Sequence, residues 1–205
     1  MPHGHGWLRR HVMHADGSMT GRSGDPEHYG RFAGRLERPL WARIAGDVAA
    51  LRLPAGAHVL DVGTGPGRLP VEIARRCPEL RVIGLDVSAR MIEAAQAVIE
   101  PGQQVTAEVG DVGALPYRDG SVDLVVSTLS QHHWPDLAAA TRELARVLAP
   151  GGRIWIYDLR PALRGARIAA DVAFPGADVR IEPVRAGLLG LVLARLTVEP
   201  AGVPA

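Results

Sequence analysis

A glycine-rich turn in the first third of the chain has the residue types of a ligand-binding loop. It reads Asp61-Val-Gly-Thr-Gly-Pro-Gly67 and follows a short apolar run. Glycines at alternate positions let the backbone turn tightly and let a ligand approach without meeting a Cβ atom. A dinucleotide site requires G-x-G-x-x-G, and that pattern fails here because its third glycine would fall at Arg68. The turn therefore predicts a ligand site for which a nicotinamide dinucleotide is disfavoured.

Two more aspartates follow the next two apolar runs. Asp86 ends the run that starts at Arg81, and Asp111 follows the run that ends at Val109. An ionised carboxylate can accept two charge-assisted hydrogen bonds from a vicinal diol. Either acid, taken alone, is also an ordinary strand-end or capping residue. Their recurrence after consecutive runs favours contact with a ligand.

A second group of residues has the chemistry for proton transfer. His132 and His133 follow the fourth apolar run, and Tyr157 and Asp158 end the fifth. Histidine is the side chain best suited to proton transfer near neutral pH. Each histidine has a second and more common role, as a pocket wall or a contact at a helix start. Both roles stay open for the pair.

The elements that must position these residues alternate between helices and strands. Apolar residues between Pro39 and Leu53 recur at three- and four-residue spacing, which predicts a helix that ends at Pro54. Short apolar runs predict five strands at His58–Val62, Arg81–Asp86, Gln104–Val109, Ser121–Ser127 and Arg153–Asp158. Two of the helices between them are predicted at 68–77 and 135–148. A third is predicted directly after Ser88, which is a suitable N-cap.

This alternation predicts an α/β fold with a doubly wound, mainly parallel sheet and helices on both faces. After a weaker helix at 160–173, the segments 179–185 and 188–198 predict an antiparallel strand pair at one edge of the sheet. In open parallel sheets, ligands bind beyond the carboxyl ends of the strands, near the point where strand order reverses. The glycine turn, the later aspartates and the histidines should therefore meet at that edge.

The first 28 residues predict a mobile N-terminal arm, followed by a domain at 29–200. They hold five of the eight histidines and have no periodic apolar pattern. The four histidines before residue 15 lack the cysteine or carboxylate pattern that would complete a metal site, so no bound metal is expected. Residues 24–32 contain His28, Tyr29 and Phe32 and are suited to close over the ligand as a lid. His28 and Tyr29 would then join the candidate bases.

The composition limits the chemistry. A chain of 205 residues, 47 % of them apolar, can bury the core of one domain. All 23 basic residues are arginine, which excludes Schiff-base chemistry and a P-loop lysine. A formal charge of +1 gives no field for attracting a phosphate backbone, so no nucleic-acid partner is expected. A single cysteine, no secretory core and no apolar span of about 20 residues predict a cytoplasmic protein without a membrane partner.

These segments resemble the class I S-adenosylmethionine-dependent methyltransferases, in particular the small-molecule enzymes of methyltransferase type 11. The glycine turn resembles the first motif of that family. The further matches, in order, are Gly84-Leu-Asp-Val-Ser88, Gly110-Asp-Val112 with Leu115-Pro116, Ser121–Ser127 with Gln131–Asp136, and Leu148–Arg153 before the fifth strand. The matched segments lie between Val59 and Asp158, about half of the chain. The resemblance implies a Rossmann-like fold.

The resemblance also implies S-adenosylmethionine as the cofactor. In this family the acid of the second motif binds both ribose hydroxyls, and the aspartate of the third meets the adenine amino group. Asp86 and Asp111 hold these positions, and Asp61 would hold the amides of the turn or face the cationic methionine end. The implied cofactor-binding residues are Asp61, Gly63, Thr64, Gly65, Gly67, Asp86, Val87, Asp111, Val112 and Ser127. The candidate catalytic residues are His132, His133 and Tyr157.

The activity that the resemblance implies is methyl transfer to a small-molecule acceptor, whose acceptor atom stays open, as does the oligomeric state. Only 47 residues follow Asp158, so acceptor recognition is expected from the N-terminal region and the loops after strands four and five. Two other functions stay open. One is a protein that binds the cofactor or its demethylated product without catalysis. The other is a nicotinamide-dependent reductase, which Arg68 disfavours.

Overall fold

The computed structural model describes residues 34–184 and 192–200. The helices in these residues are α1 Gly34–Ala50, α2 Arg68–Arg76, α3 Ala89–Gln96, α4 Leu137–Val147 and α5 Leu163–Ala173. The strands are β1 His58–Val62, β2 Arg81–Asp86, β3 Val105–Val109, β4 Val122–Thr128, β5 Leu148–Leu159, β6 Asp178–Pro183 and β7 Leu193–Glu199. A 3-10 turn, Gln131–His133, follows β4. The predicted arm and lid lie outside the described residues.

The strands of the described residues form one sheet in the order β3-β2-β1-β4-β5-β7-β6. Strands β1 to β5 pair in parallel, and β7 pairs antiparallel with both β5 and β6. The predicted mainly parallel sheet with an antiparallel C-terminal pair is therefore confirmed. Strand order reverses between β1 and β4, so the carboxyl ends of these two strands flank the place where a ligand is expected.

Two apolar clusters hold the helices against the two faces of the sheet. On one face, Leu60, Val125 and Ile154 pack with residues of α4 and α5, and we call this the α4/α5 face. On the other, the α1/α2 face, Val59 and Leu124 pack with residues of α1 and α2. Full burial of one such aliphatic side chain stabilises the fold by about 1.5–3 kcal/mol. The strand ends that carry the polar residues are thus fixed by a packed layer on each side.

Side-chain caps start two of the helices. The Ser88 hydroxyl accepts a hydrogen bond from the Met91 N–H at 3.4 Å, which confirms the predicted cap of α3. Asp136 caps α4 in the same way, with its Oδ1 2.9 Å from the Ala139 nitrogen. A cap of this kind contributes about 1 kcal/mol. Helix α2 has no such cap, because its first position follows Gly67 of the glycine turn.

The described helices are short, and the longest, α1, has 17 residues. At a rise of 1.5 Å per residue, that helix is about 26 Å long. Within the described ranges, none of the helices combines the length and the apolar character needed to cross a membrane.

The structure differs from the sequence-based boundaries mainly where distant residues meet. Strand β5 starts at Leu148 and not at Arg153, because Leu148 pairs with Val122 before the register shifts to the Leu124–Arg153 pair. Helix α1 starts five residues before Pro39, which lies inside the helix. Strand β7 starts at Leu193, and residues 188–191 of the predicted strand lie outside the described residues. None of these changes moves a strand end that carries a candidate site residue.

Candidate functional site

The carboxyl ends of β1 to β5 lie side by side along one edge of the sheet. In sheet order from β3 to β5, the polar residues at or just after these ends are Asp111, Asp86, Asp61, Ser127 and Asp158. Neighbouring strands are about 4.8 Å apart, so the row is about 19 Å long. A row of this length has room for a nucleoside-sized ligand and a second small molecule beside it.

The glycine turn presents an open backbone face at one position. Gly63, Gly65 and Gly67 all have positive φ angles, a region that L side chains rarely adopt. A Cβ at Gly67 would lie 2.7 Å from the Cβ of Ala95, and a Cβ at Gly63 would overlap the Ser130 hydroxyl. Nothing lies within 4 Å of the Cβ position of Gly65. Gly65 is therefore the member of the turn against which a ligand can lie.

Asp86 ties the glycine turn to the start of α3. Its Oδ2 accepts a hydrogen bond from the Gly65 N–H at 2.9 Å, and its Oδ1 accepts one from the Ser88 N–H at 2.9 Å. Burial raises the pKa of Asp86, and these two amide hydrogen bonds oppose the shift. A carboxylate has about four acceptor positions, so each oxygen can accept one more hydrogen bond. Asp86 can thus hold the turn and still bind a diol. Its neighbour Val87 is 65 % exposed.

Asp61 is a buried acid with one unpartnered oxygen. The Thr64 hydroxyl donates to its Oδ2 at 2.7 Å, whereas its Oδ1 has no partner among the described residues. Burial raises the pKa of Asp61 from 3.8 to about 7; the Thr64 hydrogen bond lowers it and the nearby Asp86 raises it further. An isolated buried carboxylate is costly, and a cationic group close by would stabilise its charged form. This position fits the cationic part of a ligand.

Residues at the ends of β3 and β4 complete the predicted cofactor set. Asp111 is exposed, and its Oδ1 accepts a hydrogen bond from the Gly113 N–H at 2.8 Å. Val112 is 7 % exposed and packs in the apolar cluster of the α4/α5 face, so only its backbone is available to a ligand. Ser127 is fully buried. Three buried polar atoms near the end of β4 have no hydrogen-bond partner among the described residues. They belong to Ser127, Thr128 and Gln131.

His132 and Asp158 form a hydrogen-bonded pair between the ends of β4 and β5. The His132 Nδ1 lies 2.8 Å from Oδ1 and 3.0 Å from Oδ2 of Asp158. The same carboxylate accepts the backbone N–H groups of His132 at 3.1 Å and Leu159 at 2.7 Å. These donors suit an ionised carboxylate, which accepts and does not donate. Nδ1 therefore carries the ring hydrogen, and the lone pair of the neutral imidazole lies on Nε2.

The pair is arranged so that only the histidine is accessible. Asp158 is completely buried, and the His132 side chain is 31 % exposed. A buried acid that fixes the tautomer of an exposed imidazole is the arrangement found in general-base catalysis. The ring of His133 lies beside that of His132, with centroids 4.0 Å apart and an interplanar angle of 45°.

The 3-10 turn Gln131–His133, which we call the histidine turn, is joined to the glycine turn by the residue before it, Ser130. Ser130 occupies the space above Gly63, and the Trp134 Nε1–H donates to the Ser130 hydroxyl at 3.2 Å. Leu129, between β4 and Ser130, has a φ of +54°, which turns the chain sharply at this point. A non-glycine residue in that region costs roughly 1–2 kcal/mol. The contact between the two turns means that any side chain at Gly63 would displace the histidine segment.

Tyr157, a predicted catalytic residue, lies on the opposite face of the sheet from Asp158. Successive residues of a strand point to opposite faces, and Tyr157 belongs to the apolar cluster of the α1/α2 face. Its side chain is 1 % exposed, and burial raises its pKa to about 12. The structure thus brings His132, His133 and Asp158 together at the strand ends, and it places the Tyr157 phenol in the core.

A family model described as a methyltransferase domain matches residues 59–152. The match starts in β1 and ends in β5, and it includes the glycine turn, Asp86, Asp111 and the histidine turn. These features and the match support membership of the class I S-adenosylmethionine-dependent methyltransferase family. S-adenosylmethionine is the cofactor that this membership implies, and its ribose diol and cationic methionine end fit Asp86 and the unpartnered Asp61.

Two of the curated relatives are named methyltransferases. The demethylmenaquinone methyltransferase of Thermus thermophilus is 35 % identical over 127 residues, which are 62 % of this chain and 57 % of that protein. The 27-O-demethylrifamycin SV methyltransferase of Amycolatopsis mediterranei is 33 % identical over 153 residues, 73 % of this chain and 53 % of that protein. The chain thus spans about half the length of these curated relatives. A solved methyltransferase from Aquifex aeolicus shares the fold, with a TM-score of 0.68 at 22 % identity over 85 % of this chain and 97 % of that chain.

Sequence reasoning missed the direct contact between His132 and Asp158. Both were candidates, but 26 residues separate them in the chain. One sequence feature would have helped. The period of two along β5 places Asp158 on the face of Ile154 and Ile156, opposite to Tyr157, so only one of the two strand-end candidates could face the histidine turn.

Proposed function

We propose that the chain transfers a methyl group from S-adenosylmethionine to a hydroxyl group of a small-molecule acceptor. The observation that carries the proposal is the His132–Asp158 pair, with Nδ1 2.8 Å from a completely buried carboxylate oxygen. A hydroxyl acceptor must lose its proton during transfer, and an imidazole with a free Nε2 lone pair can take it.

Three of the residues that would hold the cofactor, Asp61, Gly65 and Asp86, lie at the carboxyl ends of β1 and β2. Asp86 would accept the ribose hydroxyls with the lone pairs that Gly65 and Ser88 leave unused. The open backbone at Gly65 would lie against the ligand, and Asp61 would face its cationic end. When bound, S-adenosylmethionine supplies an electrophilic methyl group on a sulfonium. The task of the chain is then to orient the acceptor and to manage its proton.

Asp158 and His132 divide that second task between them. Asp158 holds the imidazole through Nδ1 and stabilises the imidazolium that forms when Nε2 takes the acceptor proton. General-base catalysis of this kind contributes about 10²- to 10⁴-fold to the rate. In a protein that only binds the cofactor, Asp158 would still hold the backbone N–H groups of His132 and Leu159, but an imidazole with a fixed tautomer would have no proton to take. The pair therefore supports an enzyme over a binding protein.

A transfer assay with methyl-labelled S-adenosylmethionine tests the proposal. The acceptors are small phenols and hydroquinones, and the matched controls are the same compounds with every hydroxyl already methylated. We expect label in the hydroxylated compounds only, and a loss of about 10²- to 10⁴-fold in turnover for His132→Gln. Equal labelling of the methyl ethers, or unchanged turnover in His132→Gln, would contradict the proposal.

A further inference from the structure

An open pocket of about 320 Å³ lies beyond the end of β5, beside the start of α5. Two arginines from the β5–α5 segment share it with apolar residues of β6 and β7. The lining residues are Arg160, Pro161, Arg164, Ile181, Pro183 and Ala194. The pocket thus combines apolar walls with two guanidinium groups. This combination suits an organic anion, because the planar donors of arginine match a carboxylate or a phosphate.

The two arginines of the pocket lack an ion-pair partner within residues 34–184 and 192–200. The other arginines of α5, β6 and β7 all have one. Arg167 pairs with Asp171, Arg180 with Glu199 and Arg195 with Glu182. Both side chains are exposed and line the same pocket, so an anion bound there could pair with either guanidinium group.

The pocket adjoins the His132–Asp158 pair on the same face of the sheet. Asp158 is paired with Ala194 of β7, and Ala194 is paired with Pro183 of β6. Directly paired residues of neighbouring strands point to the same face. The line from Asp158 through Ala194 to Pro183 crosses two strand spacings, about 10 Å, and its last two residues line the pocket. This is the length of a small aromatic acid.

We propose that this pocket is the second half of the acceptor site and binds an anionic group of the acceptor, a carboxylate or a phosphate monoester. The inference rests on the proposed function, since it places the acceptor hydroxyl at His132. It makes Arg160 and Arg164 the residues that select anionic acceptors over neutral ones of the same shape. Their effect is on acceptor binding and not on the proton transfer itself.

Binding is tested by NMR of the arginine Nε–Hε groups in ¹⁵N-labelled protein that also contains S-adenosylhomocysteine. The probes are 4-hydroxycinnamate, its neutral amide and 4-hydroxyphenyl phosphate. We expect both anions to shift the signals that disappear in Arg160→Gln and Arg164→Gln, and the amide to shift neither. Each substitution should weaken anion binding by about 10- to 100-fold. The tighter of the two anions identifies the group as a carboxylate or a phosphate.

Arg167→Gln is the matched control, because Arg167 is on the same helix and does not line the pocket. It should leave anion affinity within about twofold of wild type, since a surface ion pair contributes little. Equal affinity for the anions and the amide, or equal losses in Arg164→Gln and Arg167→Gln, would overturn the pocket assignment. Anion binding without methyl transfer to any hydroxyl would instead contradict the proposed function and leave the anion pocket standing.

Discussion

His132 Nδ1 lies 2.8 Å from Asp158 Oδ1, although 26 residues separate the two in the chain. The parallel pairing of β4 with β5 produces this contact, because Thr128 is paired with Tyr157 and the turn after β4 returns over the end of β5. The contact fixes the ring hydrogen on Nδ1 and leaves Nε2 as the basic atom. It distinguishes His132 from its neighbour His133, which the sequence did not.

Replacing His132 by Gln should lower the turnover number by about 10²- to 10⁴-fold. The affinity for S-adenosylhomocysteine should stay within about twofold, because His132 is not among the residues that would hold the cofactor. Steady-state kinetics together with calorimetric binding separates the two effects. The control is His133→Gln, whose ring touches His132 but is not the one paired with Asp158. An equal or larger loss of turnover in His133→Gln would show that His132 is not the specific base for the proton transfer.

Asp158→Asn should reduce turnover while it keeps the side-chain shape. The amide offers one carbonyl oxygen where the carboxylate offers two, yet three N–H groups donate at this position. The imidazolium would also lose its negative partner. We expect a loss of about 10- to 10³-fold in turnover and a lower melting temperature, because a buried donor is left unsatisfied. Wild-type turnover in Asp158→Asn would show that the carboxylate does not support the base.

Asp86→Ala should weaken S-adenosylhomocysteine binding by about 1.5–3 kcal/mol, the range for hydrogen bonds to a charged group. The structure adds a second effect, since the Gly65 and Ser88 amides lose their shared acceptor. The ligand-free protein should therefore melt at a lower temperature as well. Asp86→Asn keeps one acceptor oxygen and should fall between wild type and Asp86→Ala in both measurements. Unchanged calorimetric affinity in Asp86→Ala would remove this residue from the site.

Gly65→Val should abolish cofactor binding, because the new side chain enters the open space at the turn. Gly102→Val is the matched control. Both glycines have positive φ, 53° and 88°, and nothing lies within 4 Å of either Cβ position. Each substitution should cost roughly 1–2 kcal/mol of stability through backbone strain. Only Gly65→Val should lose affinity for S-adenosylhomocysteine, and a comparable loss in Gly102→Val would trace the effect to strain alone.

Asp61 should make the ligand-free protein less stable as the pH rises from about 4 to 7. Its carboxyl has a pKa of 3.8 in the unfolded chain and about 7 in the folded chain, because burial disfavours the charge. Between these values the folded state holds a proton that the unfolded state has lost, so the free energy of unfolding falls by up to roughly 4 kcal/mol. Urea unfolding from pH 4 to 8 measures this slope. Asp61→Asn should show a flatter profile, and parallel profiles for the two proteins would rule the explanation out.

Elements set by local patterns were predictable from the sequence, and contacts between distant residues were not. Strands β1 and β2 have their predicted bounds, because an apolar run between turn residues defines each of them locally. The start of β5 depends on its pairing with Val122, and the strand order β5-β7-β6 depends on where the C-terminal hairpin docks. The anion pocket follows from that order, so no local pattern could reveal it.

The candidate site shows the same division. The apolar pattern of the sequence was enough to place Asp61, Asp86, Asp111 and the glycines at or just after the ends of the correct strands, because strand ends follow from local patterns. Their hydrogen bonds, such as the one from Gly65 N–H to Asp86, join residues 21 positions apart and required the fold. The sequence left two roles open for His132, a general base and a pocket wall. Its contact with the buried Asp158, which also required the fold, supports our proposal that it is the base.

The hydroxyl oxygen whose proton passes to His132 is the atom proposed to accept the methyl group. The most direct test is the ¹³C NMR spectrum of the product formed from S-adenosylmethionine with a ¹³C-labelled methyl group and a hydroxylated acceptor. The chemical shift of the new methyl carbon distinguishes bonding to oxygen from bonding to nitrogen, carbon or sulfur. We expect an O-methyl signal with the wild-type protein. With His132→Gln, the intensity of that signal after the same reaction time should be at least about 10²-fold lower. A methyl signal on nitrogen, carbon or sulfur, or an O-methyl signal of equal intensity from His132→Gln, would overturn the assignment of a hydroxyl acceptor.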